Sequence, residues 1–286
     1  MKHERKIIAG ESFGEERALY ALNYAEVKNC VFSSDIGESA LKECRNIEVS
    51  ACDFSIRYPV WHAEEFTFDD CEMDEKTRAA FWYCKRGVIQ NCTLGGIKAL
   101  RECKCVIVSD CKIISPEFGW RCDGILLHNC EAESVYFMFE SRNIALKNVK
   151  FSGKYSFQYV KNALIEDCDF STKDAFWHSK NVTVKNSVLR GEYLGWYSEG
   201  LTLINCVICG TQPLCYCKKL KLINCRTEGC DLAFEYSDVT ADVRGEILSV
   251  KNPKSGKIVA DGFGEIIRVS AVYGCKAKVI VRGSRA

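Results

Sequence analysis

One column of residues recurs along most of the chain at a nearly constant spacing. Eight Asn or Asp residues each follow two apolar positions and lie 19 residues apart: Asn91, Asp110, Asn129, Asn148, Asp167, Asn186, Asn205 and Asn224. Upstream the series continues through Asp70, Ala51 and Asn29 at intervals of 21, 19 and 22, and Val243 extends it by one degenerate repeat. A repeat of this length over most of a chain is typical of a solenoid.

The apolar positions within each repeat have a period of two, which predicts β-strands and excludes helical repeats. Residues 201–206 (LTLINC) and 220–225 (LKLINC) are two clear copies. A coil of 19 residues cannot bury its inward face alone, so it stacks on its neighbours at about 4.8 Å per coil. The sequence therefore predicts an all-β fold, a parallel β-helix of about twelve coils.

The repeat also sets the expected domain organisation. We expect a single domain over residues 1–286, with coils over 21–246. The pattern fails after Asp242, because Arg244 and Glu246 occupy columns that were apolar. An open solenoid end exposes the edges of its strands, so we expect a terminal β-hairpin within a C-terminal β cap over 247–286, and an N-terminal cap over 1–20.

Most of the nineteen cysteines lie in two columns of the repeat. One column directly follows the Asn/Asp column and the other precedes it by seven residues, and Ser and Val occur in both. Parallel side chains one coil apart do not bring β-carbons within disulfide range, so we expect packed free thiols. The alternative is a metal cluster of Cys84, Cys103, Cys105 and Cys122, which no CxxC pair supports.

Composition excludes several classes of function. With 39 basic and 38 acidic side chains and a net charge of +1, the chain has no basic face for nucleic acid. No apolar stretch approaches the length of a membrane span, and residues 1–8 contain no apolar segment of the kind found in a secretory signal. We therefore expect a cytoplasmic protein. No phosphate loop or nucleotide fingerprint is present, and we expect neither a cofactor nor a metal.

Five segments resemble a known family. They are residues 191–196 (GEYLGW), 232–237 (LAFEYS), 249–256 (SVKNPKSG), 14–19 (GEERAL) and 121–124 (RCDG). They are similar to an uncharacterised bacterial domain-of-unknown-function family that is assigned to the pectate-lyase-like β-helix superfold. The resemblance covers essentially the whole chain and implies right-handed coils, which periodicity alone does not give. It implies no catalytic residues, since a fold does not define a function.

Aromatic residues gather in neighbouring columns. The five tryptophans share one column with Phe139 and Phe234: Trp61, Trp82, Trp120, Trp177 and Trp196. We interpret it as an inward stack, although Arg101 and Gln158 in the same column count against this. The next column is expected to face outward: His62, Tyr83, Glu102, Arg121, Glu140, Tyr159, His178, Tyr197, Tyr216 and Glu235. Two residues before it lie Leu100, Met138, Phe157 and Phe176, which we expect on the same face, with Tyr136, Tyr155 and Tyr193 two residues earlier again.

This face suggests a binding function. Aromatic rings stack on sugars, which predicts a ligand-binding surface of Tyr136, Tyr155, Tyr159, His178, Tyr193, Tyr197 and Tyr216. Alternatively, these aromatics simply fill outer sheet positions. The leading hypothesis is a non-catalytic protein that binds an oligosaccharide or a protein ligand.

The alternative function is a carbohydrate-active enzyme of the lyase or hydrolase type. Glu102, Arg121 and Glu140 occupy successive coils. The two glutamates would be about 10 Å apart at the backbone, so their carboxyl groups can approach the separation of about 6.5–9.5 Å found in inverting glycosidases. Arg121 would suit a lyase. A simple surface charge ladder explains the same row, and the residues leave open whether the protein catalyses a reaction.

Overall fold

The computed structural model describes residues 4–283, and this range contains strands and turns but no helix. The chain divides into two compact units, residues 1–145 and 146–286. Each unit is a stack of coils whose strands pair in parallel. Residues 1–3 and 284–286, the outermost parts of the two expected caps, lie outside the described residues.

The strands are short and follow one another without interruption by other elements. Those of the first unit are β1 (Lys6–Ala9), β2 (Ser12–Phe13), β3 (Asn23–Lys28), β4 (Val31–Glu38), β5 (Arg45–Ser50), β6 (Asp53–Arg57), β7 (Val60–Trp61), β8 (Glu64–Asp69), β9 (Glu72–Met73), β10 (Phe81–Trp82), β11 (Lys85–Gln90), β12 (Thr93–Leu94), β13 (Leu100–Arg101), β14 (Lys104–Ser109), β15 (Lys112–Ile114), β16 (Asp123–His128) and β17 (Glu131–Val135). Strand β18 (Arg142–Lys147) contains the division point. The second unit has β19 (Lys150–Lys154), β20 (Lys161–Glu166), β21 (Asp169–Ser171), β22 (Lys180–Lys185), β23 (Val188–Arg190), β24 (Thr202–Ile204), β25 (Val207–Cys209), β26 (Leu220–Glu228), β27 (Asp238–Arg244), β28 (Glu246–Lys251), β29 (Ser255–Ala260), β30 (Gly262–Ile267) and β31 (Lys278–Val281).

The pairing register reproduces the spacing of the repeat. In the first unit Ile89 aligns with Phe68 of the preceding coil and with Val108 of the following one. In the second unit Val184 aligns with Leu203, 19 residues later. All these side chains are buried, so one face of each strand forms the core. The protein is a right-handed parallel β-helix, which confirms the predicted fold class.

The number of coils and the nature of the ends differ from the prediction. The helix has about fifteen coils rather than twelve. Strand β1, within the expected N-terminal cap, pairs in parallel with β3 as an ordinary coil. Strands β29 and β31 continue the parallel pairing of β27, so the expected C-terminal hairpin is wrong. The coils therefore do not end at residue 246.

A one-residue shift explains why the pattern seemed to end there. Leu222 pairs with Ala241, 19 residues later, but Cys225 pairs with Val243, only 18 residues later. Because successive side chains of a strand point to opposite faces, a shift of one residue exchanges the buried and exposed positions. Val243 is accordingly buried and Arg244 exposed, so the charged residue that seemed to end the core lies on the outer surface.

The Asn/Asp column forms a corner of the coils. Every residue of this column from Asn29 to Asn224 has a positive φ between 49° and 55°, a conformation that Asn and Asp tolerate better than most residues. The side chains also bond between coils. In the second unit Asn224 donates to Asn205 at 2.9 Å, Asn205 to Asn186 at 3.1 Å, and Asn186 to Asp167 at 3.3 Å. The predicted asparagine ladder is therefore present.

The cysteines that directly follow the Asn/Asp column point inward and supply hydrogen-bond acceptors at the same corner. The backbone N–H of Cys92 donates to Sγ of Cys111 in the following coil at 3.4 Å. Where that following residue is serine, the hydroxyl takes the same role: Oγ of Ser187 accepts from the N–H of Cys168 at 3.0 Å and donates to the carbonyl of Lys185 at 2.6 Å. Cysteine and serine interchange in this column because both supply an acceptor for a buried amide.

The cysteine ladder is confirmed as a buried feature. All nineteen cysteines are free thiols, and sixteen of them are buried; the other three are Cys105, Cys209 and Cys275. Burial raises the pKa of Cys168 to about 11 and that of Cys44 to about 12. A thiol with so high a pKa stays protonated near neutral pH and is a poor nucleophile.

We expect Cys168→Ser to lower the free energy of unfolding by no more than about 1 kcal/mol, because the new hydroxyl can donate to the carbonyl of Glu166, which Sγ already contacts at 3.1 Å. The sequence alone predicts a cost of about 1–3 kcal/mol for a buried hydroxyl without a partner. Urea denaturation of both proteins measures the difference. A loss above about 2 kcal/mol would mean that the hydroxyl remains unpaired.

Candidate functional site

The third side of each coil, which carries the aromatic columns, is mostly a turn rather than a strand. Within residues 4–283, the short strands β7, β10 and β13 pair there, and most of the other coils have no strand at this place. Elsewhere the backbone alternates between left-handed and ordinary conformations, as at Tyr193, Gly195 and Tyr197 with φ of 57°, 80° and 57°. Side chains along such a segment do not alternate strictly between core and solvent. The period-two rule used to assign the aromatic columns therefore fails here.

The tryptophan column is not part of the core, so its inward assignment is wrong. Trp61, Trp82, Trp120 and Trp196 are half-buried, and Trp177 is 37% exposed. The residue before each tryptophan fills the core in most coils, as Phe81 and Phe176 do. The left-handed residues turn two neighbouring columns toward solvent instead of one. Leu100, Met138, Phe157 and Phe176, which were expected on the outer face, are consequently all buried.

The adjacent column is mostly exposed in both units: Tyr83, Tyr159 and Tyr197 are each 41–42% exposed, whereas Glu102 and Tyr216 are half-buried. Glu235 is an exception and is buried, while Tyr236 takes the column position. An extra residue in that coil is the reason, since Ser237 aligns with Cys217, 20 residues earlier. The same residue moves Phe234 out of the tryptophan column and into the core.

In the second unit the exposed column forms what we call the aromatic ladder, Tyr159, His178, Tyr197 and Tyr216. Successive ring centroids are 5.3, 5.1 and 4.8 Å apart, and the interplanar angles are 7°, 10° and 16°. The inner rings cover each other's faces, so they present their edges and polar atoms to solvent. This corrects the expectation that sugars stack flat on these rings.

Trp177 differs from the ladder because its ring is not stacked in parallel. It meets His178 at 34° and Tyr197 at 43°, so neither of these two rings covers its face in parallel. Trp196 lies one coil further and contacts Tyr216 at 5.3 Å, and its indole N–H donates to the carbonyl of Gln212 at 2.7 Å. The two tryptophans and the ladder form a contiguous surface, which sequence reasoning missed because it placed the tryptophans in the core.

The remaining predicted ligand residues are less exposed or lie elsewhere. Tyr193 is half-buried and meets Trp196 edge-on at 5.4 Å. Tyr155 is half-buried, with the amine of Lys154 at 5.5 Å from its ring. Tyr136 belongs to the first unit, where its ring meets Phe139 edge-on. Ligand binding by any of these residues stays a prediction.

The candidate catalytic row of the first unit is held by ion pairs and hydrogen bonds. Nε of Arg121 donates to Glu140 at 2.7 Å, and the indole of Trp82 donates to Glu102 at 2.9 Å. Burial alone would raise the pKa of Glu102, but the bonds from Trp82 and Tyr83 and the charges of nearby arginines outweigh it and lower the pKa. An ionised Glu102 does not suit the general-acid role that an inverting glycosidase needs.

A groove of about 300 Å³ lies beside this row in the first unit. Glu43, His62, Tyr83 and Glu102 line it, together with charged residues of the adjoining sheet. Nδ1 of His62 is 2.9 Å from a carboxylate oxygen of Glu43, and a hydrogen bond to Glu102 raises the pKa of Tyr83. A carboxylate that orients an imidazole is an arrangement used in general-base catalysis.

Neither a metal centre nor a membrane-spanning helix is found between residues 4 and 283. No three His, Cys, Asp or Glu side chains of this range are placed to hold a metal ion. The proposed cysteine cluster is divided, because Cys84, Cys103 and Cys122 are buried whereas Cys105 is exposed on the other face. The same range has no helix with the length and apolar character that a bilayer crossing requires.

The fold and these surfaces define a β-helix protein with an exposed aromatic surface in its second unit and a groove lined by charged residues in its first. Residues 6–280 match the family described as "Protein of unknown function (DUF3737)", and the chain belongs to that family. This confirms the resemblance to an uncharacterised β-helix family. None of the curated proteins compared with the chain is detectably similar to it in sequence.

Several solved structures resemble this chain at low identity. The A-module of the mannuronan C-5 epimerase AlgE6 of Azotobacter vinelandii is 12% identical, with 96% of this chain and 90% of that chain covered and a TM-score of 0.37. The surface adhesin PfbA of Streptococcus pneumoniae is 8% identical, with 100% and 90% covered and a TM-score of 0.43. The tailspike gp49 of the Acinetobacter baumannii bacteriophage Fri1, a capsular polysaccharide depolymerase, is 8% identical, with 97% and 65% covered and a TM-score of 0.32. At these scores the likenesses support no inference about function.

Trp177→Ala and Phe176→Ala form a matched pair that tests the corrected orientation. Phe176 is 1% exposed, so its truncation leaves a closed cavity and should cost about 3–5 kcal/mol. Trp177→Ala should cost only about 1–2 kcal/mol, because solvent can fill the space that the indole leaves. Chemical denaturation measures both values. Equal losses of unfolding free energy, or a larger loss for Trp177→Ala, would mean that the indole of Trp177 faces the core.

Stability should depend on pH through His178. Partial burial, followed by the charge of Lys180, lowers the pKa of His178 in the folded state below its ordinary value of 6.5. The unfolded chain then binds more protons than the folded one, so stability should fall as pH decreases through 6.5 toward the folded pKa. Melting temperatures between about pH 8 and pH 5 measure this. His178→Phe keeps a stacked ring and should weaken the dependence; an unchanged dependence would exclude His178 as its source.

Proposed function

We propose that the protein is a non-catalytic carbohydrate-binding β-helix, and that an oligosaccharide binds the aromatic surface of the second unit. The observation that supports this most is the exposed ring of Trp177 beside the regularly spaced edges of the aromatic ladder. Contiguous exposed aromatic surface on a soluble protein often marks a binding site.

The chemistry of this surface suits a sugar. The indole of Trp177 offers an apolar face for the C–H groups of a pyranose ring. The hydroxyls of Tyr197 and Tyr216, one coil apart, can both donate and accept hydrogen bonds, as sugar hydroxyls require. Stacking already restricts the ladder rings, so binding would order few side chains.

The flanking charges favour an uncharged glycan over a strongly ionic one. Lys173 forms an ion pair with Glu192 at 2.9 Å, and Lys180 lies 3.9 Å from Glu199. Within each pair the lysine and the glutamate largely neutralise each other, so the edge of the surface carries little net charge. The proposal includes a cytoplasmic, soluble oligosaccharide as ligand, and localising the native protein tests that part.

The second candidate is a carbohydrate-active enzyme that uses the groove of the first unit. The His62–Glu43 pair favours it, because a carboxylate orients the imidazole as a general base. Glu102 is less suited to the matching acid, since its pKa is lowered. Tyr83 also lines the groove and keeps its proton, but its raised pKa makes it a weak acid for this role.

A glycan array followed by titration calorimetry tests the first proposal. Trp177→Ala should weaken binding of any glycan hit at least about tenfold, because the apolar platform is lost. Tyr197→Phe keeps the stacked ring and should weaken binding less, by the loss of one hydroxyl. His62→Gln in the groove is the matched control and should bind as the parent does.

The same variants separate the two candidates. If the parent cleaves or modifies a glycan and His62→Gln abolishes that turnover while Trp177→Ala does not, the function belongs to the groove. If no glycan binds, or Trp177→Ala binds every hit as the parent does, the aromatic surface is not the site.

A further inference from the structure

A second groove, of about 600 Å³, lies in the second unit where the coil register shifts. Asn224, Arg226, Glu228, Arg244 and Asp261 line it. It belongs to neither the aromatic surface nor the groove of His62, and the proposed carbohydrate function does not use it.

Two arginines stand side by side in this groove. Arg226 of β26 and Arg244 of β27 are register partners in adjacent parallel strands, so their α-carbons are about 4.8 Å apart. Both are exposed, and neither forms an ion pair with any residue between 4 and 283. Like charges at neighbouring positions of a sheet destabilise it, which a bound anion would relieve.

The end of the asparagine ladder positions one of these guanidinium groups. Nε of Arg244 donates to the amide oxygen of Asn224 at 3.1 Å, while the amide nitrogen of Asn224 donates to Asn205 at 2.9 Å. This contact uses a single N–H of Arg244. Its terminal nitrogens therefore remain available to a ligand.

The carboxylates near the groove neutralise this pair only in part. Asp261 accepts from the N–H of Gly245 at 2.7 Å and from Nε of Arg282 at 2.6 Å, and these two bonds lower its pKa. Arg282 also contacts Asp242 at 2.6 Å, and the charge of Arg244 contributes to lowering the pKa of Asp261. Glu228 lies 3.6 Å from the thiol of Cys209, and between residues 4 and 283 neither it nor Asp261 forms an ion pair with Arg226 or Arg244.

We propose that Arg226 and Arg244 form a binding site for a phosphate or sulfate group. A guanidinium group binds oxyanions through two parallel N–H bonds, and two such groups match the charge and the several oxygens of a tetrahedral dianion. A single carboxylate has one negative charge and two oxygens, so it can satisfy only one of the two arginines.

Titration calorimetry at low salt, with inorganic phosphate, inorganic sulfate and acetate as probes, tests this site. We expect saturable binding of phosphate and sulfate, and much weaker binding of acetate. Arg226→Gln and Arg244→Gln should each weaken phosphate and sulfate binding at least about tenfold, because each removes a charge-assisted pair of bonds. Glu228→Gln should strengthen phosphate and sulfate binding, because it removes a negative charge that repels the anion.

Arg142→Gln is the matched control, because Arg142 is an exposed arginine of the first unit that is already paired with Asp123. It should bind phosphate and sulfate as the parent does, and melting temperatures of all variants report whether they fold. Absence of saturable binding by the parent would overturn the proposal, as would unchanged affinity in a folded Arg226→Gln/Arg244→Gln double variant. Equal affinity for acetate and sulfate would show that the groove does not select a dianion.

Discussion

The structure depends on how each coil turns its corner without leaving a buried amide unpaired. At the Asn/Asp corner the backbone adopts a positive φ, and the next residue is buried, so its N–H needs an acceptor within the protein. In several coils this N–H donates to a side chain one coil further on, as the N–H of Cys168 does to Oγ of Ser187 at 3.0 Å. A buried N–H without an acceptor costs about 1–3 kcal/mol, so a corner repeated in every coil needs a systematic solution.

That requirement explains the composition of the chain better than packing alone. Small apolar residues would fill the inward corner equally well, but Ala and Val offer no acceptor. Sulfur and hydroxyl oxygen both do, and each can also donate to a carbonyl nearby, as Cys206 does to Ile204 at 3.3 Å. The neighbouring asparagine ladder adds bonds between coils that all run in one direction, and such chains of amides strengthen one another. The abundance of cysteine thus follows from hydrogen bonding at a buried corner rather than from redox or metal chemistry.

The sequence predicted the features that repeat with this corner. The asparagine column, the buried cysteines and the coil lengths all follow from residues such as Asn91 and Cys92, whose role is the same in every coil. The third side was assigned wrongly, because residues such as Trp177 and Phe176 lie on a backbone that alternates left-handed and ordinary conformations, where period two has no meaning. The residue types do not reveal this backbone alternation, because Tyr, Phe and His occupy left-handed positions where Asn or Gly is usual. The ends were misjudged for a related reason, since one missing residue before Val243 exchanged the two faces of a strand.

The irregular parts of the coils, which were predicted wrongly from the sequence, are also the parts where we propose that ligands bind. A strict repeat places equivalent residues above one another, which favours stability and yields long uniform ladders. At an unbroken spacing of 19, Arg226 would lie beside Gly245; the shift to 18 brings it beside Arg244 and leaves two like charges together. In a fold whose corners are fixed by hydrogen bonds, the backbone holds these two charges side by side, which is the basis for the oxyanion site that we propose. The third side is irregular as well. Because few of its residues pair in strands, two neighbouring columns face solvent there, and Trp177 lies beside Tyr197. Both binding sites that we propose therefore lie at departures from the repeat rather than on its regular faces.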